Sequence, residues 1–142
     1  MQILVKSCTN NRPTLEIPID ICVIANDTVT GTISAADPDT NKILLYNYGG
    51  VFNFSSSPAG FSFPSTPQNS PVSGFFTWQT NCGHVRDQPY QVTFKAEDDM
   101  SVCKLVDIRN WFITVKAPAP TGLSAIANNK SITLSWDIYP CN

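Results

Sequence analysis

With 142 residues, 42% of them hydrophobic, the chain can fill one ordinary domain and a remnant of another. Only 14% of the residues are charged, the net charge is −2, and lysine and arginine are scattered singly, so the clustered cations that a nucleic-acid backbone demands are missing. No apolar run approaches the ~20 residues of a membrane-spanning helix, so membrane insertion is not expected. The opening Met1-Gln-Ile-Leu-Val-Lys6 reads as a strand or a cut edge and lacks the basic head and apolar stretch of a signal peptide. The targeting segment of an exported parent is therefore expected outside this sequence.

Leu15, Ile17, Ile19, Ile21 and Val23 alternate with Glu16, Pro18, Asp20 and Cys22. Period two predicts one strand with one covered face, and Pro18, which has no N–H to donate, assigns it to an edge. Asn26-Asp27 makes a turn into a strand over residues 29–36, and a third strand covers 42–48. Gly49-Gly50 breaks that strand, after which Val51-Phe-Asn-Phe54 is expected to resume extended structure. Residues 55–73 are turn-rich, with Pro58, Pro64, Pro67 and Pro71 around the short word Gly60-Phe-Ser-Phe63. Gly74-Phe-Phe-Thr-Trp78 is the next strand. Tyr90, Val92, Phe94 and Ala96 then form a clean inward face against outward Gln91, Thr93, Lys95 and Glu97, and residues 108–115 supply the closing strand. Seven to eight short strands without a helix predict an all-β antiparallel sandwich over residues 1–116, in which each sheet hides its apolar face against the other.

Ala117-Pro118-Ala119-Pro120 is a stiff extended connector, because each proline fixes φ and restrains the residue before it. Residues 121–142 hold two strand-like words, too few for a core of their own. They are expected to open a second, truncated sandwich or to dock on the first.

The five cysteines are Cys8, Cys22, Cys82, Cys103 and Cys141, with no CxxC and a single histidine, His84, so Cys/His zinc spacing is absent. Disulfides formed outside the cytoplasm compete here with inert buried thiols. An odd count leaves at least one thiol over, and Cys141, beside the last residue, is the natural orphan; Cys8–Cys22 is one conceivable pair.

Among candidate sites, Asp37, Asp39 and Asn41 lie in one strand-to-strand loop and Asp98 and Asp99 in another. In an immunoglobulin-type strand order both loops open at the same end, where their oxygens could converge on calcium. The competing reading is ordinary turn chemistry, with each carboxylate bonding local backbone. Asp37 with Asp98 as a glycosidase pair and His84 with Cys82 as a nucleophilic pair lack the cleft and the orienting third group that those reactions need, so the chain reads as non-catalytic. Trp78 and Trp111 sit in apolar strands and are assigned to the core, while Tyr46 and Tyr48 share one strand face and are the candidate carbohydrate contacts.

Ala35-Ala-Asp-Pro-Asp39, Gly74-Phe-Phe-Thr-Trp78 and Tyr90-Gln-Val-Thr-Phe-Lys-Ala-Glu-Asp98 together resemble the bacterial cadherin-like and Ig-like repeat domains of surface or gliding-motility-associated proteins from Bacteroidetes. Ala119-Pro-Thr-Gly-Leu123 with Ile132-Thr-Leu-Ser-Trp136 resembles the first two strands of a fibronectin type III domain. The resemblance implies a string of sandwich domains on an exported protein, acting as spacers, adhesin stalks or contact surfaces for neighbouring domains, surface proteins or polysaccharides, with calcium often held at acidic loops. It also implies a disulfide between Cys82 and Cys103. That bond would close a loop of about twenty residues, worth ~3 kcal/mol in the chain-entropy picture. Against it, a straight strand between the two cysteines would hold them beyond the ~7 Å that a disulfide spans.

Overall fold

The computed structural model describes residues 7–141; the expectation for residues 1–6 falls outside them. Ten strands follow in order: β1 (Thr14–Glu16), β2 (Ile21–Ile24), β3 (Thr28–Ala36), β4 (Ile43–Tyr48), β5 (Gly60–Ser62), β6 (Val72–Gln79), β7 (Tyr90–Asp98), β8 (Val106–Lys116), β9 (Ser124–Asn128) and β10 (Ser131–Ser135). Two four-stranded sheets, ordered β1-β3-β6-β5 and β2-β8-β7-β4, face each other, and β9-β10 forms a separate two-stranded sheet. Every pairing is antiparallel except β2 with β8, where Ile21 lies beside Ile113 and Ile24 beside Lys116.

Alternation places the core. Val92, Phe94 and Ala96 of β7, Trp111, Ile113 and Val115 of β8, and Phe76 and Trp78 of β6 are all fully buried, as a two-sheet sandwich requires of its inner faces. Phe76 stands edge-on to Phe94, Trp111 and Phe52, with ring centroids 5.2–6.2 Å apart, the arrangement that ring quadrupoles favour. Both buried indoles find acceptors: Trp78 Nε1 donates to the Ser57 carbonyl at 3.1 Å and Trp111 Nε1 to the Ile19 carbonyl at 2.7 Å.

Two expectations need correction. The alternating stretch from Leu15 to Val23 is two strands: β1 pairs with β3 in one sheet and β2 with β8 in the other. The crossing runs through residues 17–20, so Ile19 is 84% exposed instead of facing inward. Proline breaks the ladder there, and Pro18 packs where β3 carries Gly31; a Cβ at Gly31 would sit 2.8 Å from Pro18 Cγ and 2.9 Å from the Trp111 ring. Second, Val51-Phe-Asn-Phe54 does not resume a strand. Gly50–Asn53 is a single 3-10 turn that drops Val51 into the core.

The connector, residues 117–120, carries no regular secondary structure, and the Tyr139 hydroxyl donates to the Pro118 carbonyl at 2.9 Å. Beyond it, every residue of β9 and β10 is exposed. Ala125 lies opposite Leu134 and Ala127 opposite Ile132, so one face of the hairpin is apolar and uncovered among the described residues.

Candidate functional site

Three places on the sandwich carry the residues singled out above. The first is the pole where the β3–β4 and β7–β8 loops meet. Asp37 Oδ1 accepts the N–H groups of Asp39 (2.8 Å) and Asn41 (3.2 Å), and Asp99 Oδ1 accepts that of Lys42 (3.0 Å). Asp98 takes the Met100 and Leu105 N–H groups and the Asn10 side chain, while Asp39 takes the backbone and side chain of Asn11. The Asn11 backbone N–H, then its side chain, hold the Asp39 carboxyl below its usual range. Asn10 is the link that sequence reading missed: its amide joins Asp98 and the Cys103 carbonyl, and its oxygen accepts from Asn41 at 2.8 Å. The two acidic loops do share one end, but among the described residues no three His, Cys, Asp or Glu side chains stand together as ligands for an ion. Some of these donors are local to the turn and others are remote in sequence, while Asp37 Oδ2 is buried with no hydrogen-bond partner in the protein.

The cysteines pair differently from the bond that the resemblance implied. Cys8 joins Cys103, Cys82 joins Cys141, and the exposed Cys22 is free. Cys82–Cys103 fails for a geometric reason: Cys82 opens the 3-10 turn before β7 and Cys103 follows β7, so an extended nine-residue strand separates them. Cys8–Cys22 and the idea of Cys141 as the orphan fall with it. With Cys82 oxidised, the Cys82–His84 nucleophile has no thiol.

The second place is the opposite pole. Asn81 and His84 form a reciprocal cap: the Asn81 side chain accepts from Gly83 N–H, and His84 Nδ1 accepts from Asn81 N–H at 3.1 Å. The imidazole is buried and stacks on Phe54 with 4.7 Å between centroids. Burial pushes its pKa down, opposed by the Ser56 carbonyl that accepts from the ring. The Tyr90 hydroxyl, at the start of β7, donates to the His84 carbonyl at 2.9 Å.

The third place is the outer face of the β2-β8-β7-β4 sheet. Tyr46 and Tyr48 do share this face, opposite Lys95 and Thr93 of β7, which in turn face Ile108 and Asn110 of β8. Lys95 Nζ lies 4.0 Å from the Tyr46 ring centroid and 2.7 Å from Glu97 Oε2, and Lys104 bonds the other carboxylate oxygen at 2.9 Å. The hydrogen bonds from Lys95 and then Lys104 lower the Glu97 pKa, and Glu97 raises that of both lysines in return. Tyr48, Ile108 and Phe112 are 50%, 54% and 38% exposed. The opposite outer face is built of Thr28, Thr30, Thr32, Ser34, Ser73 and Thr77 around a single large apolar side chain, Phe75.

The strand order is that of an Ig-like sandwich: β1, β3, β6 and β5 take the places of strands A, B, E and D, and β4, β7 and β8 those of C, F and G. The Tyr90–His84 bond is the tyrosine corner of that fold, while the inter-sheet cysteine two residues beyond the tyrosine is replaced by buried Val92. Solved structures agree. The chain is similar to the sialic-acid-binding region of an adhesin of Streptococcus sanguinis SK1 bound to 3'sLn (TM-score 0.53, 12% identity, 80% of this chain and 34% of that one). It is also similar to the SrpA adhesin of S. sanguinis (0.57, 12%, 91% and 72%) and to the BIgI domain of the beta protein of S. agalactiae bound to CEACAM1 (0.51, 20%, 75% and 100%). The chain thus spans about a third of the first of these structures. No family model matches the chain, and no curated protein does. At such identities the likeness establishes the Ig-like fold alone.

Proposed function

We propose that this chain is a non-catalytic adhesive module of an exported surface protein, and that it makes its contact through the outer face of the β2-β8-β7-β4 sheet. One observation carries this reading: among the described residues, the outer face of that sheet sets several large side chains (Tyr48, Ile108, Phe112) beside a fixed charged network (Lys95, Glu97, Lys104), where the opposite sheet exposes Phe75 amid hydroxyls. Exposed aromatic and apolar anchors rimmed by ordered polar groups are the usual composition of a protein-contact patch. Two disulfides suit an oxidising exterior. The similar domains include one bound to a glycan and one bound to a surface receptor. A protein partner is favoured over a carbohydrate because the Lys95 ammonium already occupies one face of the Tyr46 ring, so the β4 tyrosine pair does not offer two free rings as a sugar platform. The apolar face of the β9-β10 hairpin supports reading residues 121–142 as the opening of a neighbouring sandwich of the fibronectin type III kind, beyond the Ala-Pro-Ala-Pro connector.

Flow cytometry with chain-coated beads on epithelial cells tests the contact face. Tyr48→Ala with Phe112→Ser is expected to abolish binding, and Phe75→Ala on the other sheet to leave it intact. Equal binding by all three proteins, or loss in the Phe75 variant alone, would move the contact off this sheet. Binding lost after sialidase treatment of the cells would favour the carbohydrate reading.

A further inference from the structure

The β4 edge differs from the other edges of the two four-stranded sheets. Strands β1 and β5 span only three residues each, and β2 is preceded by Pro18. By contrast β4 reads Ile-Leu-Leu-Tyr-Asn-Tyr, six residues without a charge or a proline, and so lacks the devices that usually blunt an edge.

Its hydrogen-bonding phase can be read from its flanks. Asp99 N–H donates to the Lys42 carbonyl, so Lys42 faces β7; Ile43 exchanges both its backbone hydrogen bonds with Gln68, at 2.8 and 2.9 Å, so Ile43 faces outward. Alternation then turns Leu44, Tyr46 and Tyr48 toward β7 and leaves the N–H and C=O of Leu45 and Asn47 pointing away from the sheet. Among the described residues nothing pairs with them, because β4 ends its sheet and the Gln68 bridge stops at Ile43. The chain itself therefore adds one antiparallel rung to this edge and then departs.

We propose that the rest of the edge pairs with β4 of a second copy of this chain. The free window runs over residues 44–48, closed at one side by Gln68 on Ile43 and at the other by Gly49, whose φ of 148 turns the chain away. That window is self-complementary. Laid antiparallel on itself, it sets Leu45 opposite Asn47 of the other copy and Asn47 opposite Leu45, so that all four outward backbone groups of each copy are satisfied. Tyr46 meets its own counterpart on the two-fold axis, the isologous arrangement of a C2 dimer. One further rung in either direction would place Gly49 against an Ile43 edge that Gln68 already fills, so the window fits a partner strand of its own length. Edge pairing alone falls short of the ~1,200 Å² of a standard stable interface, so the association is weak and driven by concentration.

Sedimentation of the intact chain between roughly 10 µM and 1 mM is expected to show a monomer–dimer equilibrium. Asn47→Pro removes an outward N–H while sparing the β7 ladder and is expected to yield a monomer with unchanged circular dichroism. In a Cys22→Ser background, Tyr46→Cys is expected to give an oxidised dimer, because non-hydrogen-bonded antiparallel partners stand ~4.5 Å apart at Cα; this second variant decides the matter if Asn47→Pro misfolds. A chain that stays monomeric throughout and does not cross-link overturns the proposal. So does a dimer that survives Asn47→Pro, and so does protection of the Leu45 and Asn47 amides from exchange by an added foreign peptide alone.

Discussion

The Asp107 carboxylate of β8 accepts the backbone N–H of Leu15 of β1 at 3.0 Å, tying one sheet to the other where no ladder joins them. Arg109 Nε lies 3.2 Å from the same oxygen, and Arg12 lies 4.0 Å from its twin. Burial works against the charge, but the Leu15 N–H and the Arg109 guanidinium outweigh it and hold the Asp107 pKa down. Asp107→Ala would strand a buried N–H, at a cost of about 1–3 kcal/mol. Asp107→Asn keeps an acceptor and is expected to cost less. Urea unfolding followed by tryptophan fluorescence measures both; an alanine variant as stable as the parent would show that the stitch does nothing.

His84 gives the sandwich an acid limit. Its folded pKa lies below the ~6.5 of an unfolded histidine, so the unfolded chain takes up the proton first. The contribution of His84 is therefore complete above about pH 6.5 and declines as the pH falls through the folded value. Protonation also costs Nδ1 its role as acceptor for Asn81 N–H. His84→Gln retains a side-chain acceptor in the cap and does not titrate. It is expected to flatten the stability profile between about pH 6.5 and 5, above the range where carboxylates dominate. Parallel pH–Tm curves for the two proteins would remove His84 from the account.

Peptide mapping without reductant should recover Cys8–Cys103 and Cys82–Cys141 with Cys22 alkylated. The two bonds differ in what they hold. Cys8–Cys103 fastens the segment that delivers Asn10 to the acidic pole, and Cys103→Ser is expected to lower the stability of the sandwich by about 2–5 kcal/mol. Cys82–Cys141 packs against the edge of the core and ties the C-terminal segment to it, and the effect of Cys141→Ser is expected chiefly in faster amide exchange of β9 and β10, whose residues are all exposed. Recovery of a Cys82–Cys103 peptide would reverse this assignment.

Calcium tests the reading of the acidic pole. Because N–H donors of the protein occupy six of the eight carboxylate oxygens of Asp37, Asp39, Asp98 and Asp99, millimolar calcium is expected to leave Tm unchanged after chelator treatment. A rise in Tm that Asp37→Asn abolishes would instead make Asp37, with its partnerless Oδ2, the first ligand of a cation site.

The long central strands were legible because their rhythm is uninterrupted: Tyr90, Val92, Phe94 and Ala96 are buried as their spacing predicts, and Trp78 and Trp111 lie in the core. The same rhythm misled at Leu15–Val23, since a strand that changes sheets at Pro18 keeps its alternation while its partner changes. That Asp37 and Asp98 share one end followed from strand order. The bridge through Asn10 did not, because it depends on where a disulfide holds a segment remote in sequence. The arrangement of Tyr46 and Tyr48 was half legible. The common face of Tyr46 and Tyr48 follows from period two, whereas the lysine over Tyr46 comes from the neighbouring strand.

The two disulfides also decide how the module would behave when pulled. A force entering at Cys8 passes directly to Cys103, and one entering at Cys141 passes to Cys82, so of the backbone between Cys8 and Cys141 only residues 82–103 bear the tension. The middle of that stretch is β7, already extended from pole to pole and flanked by β4 and β8. The remaining strands are short-circuited, and the module would stay taut with little slack to release.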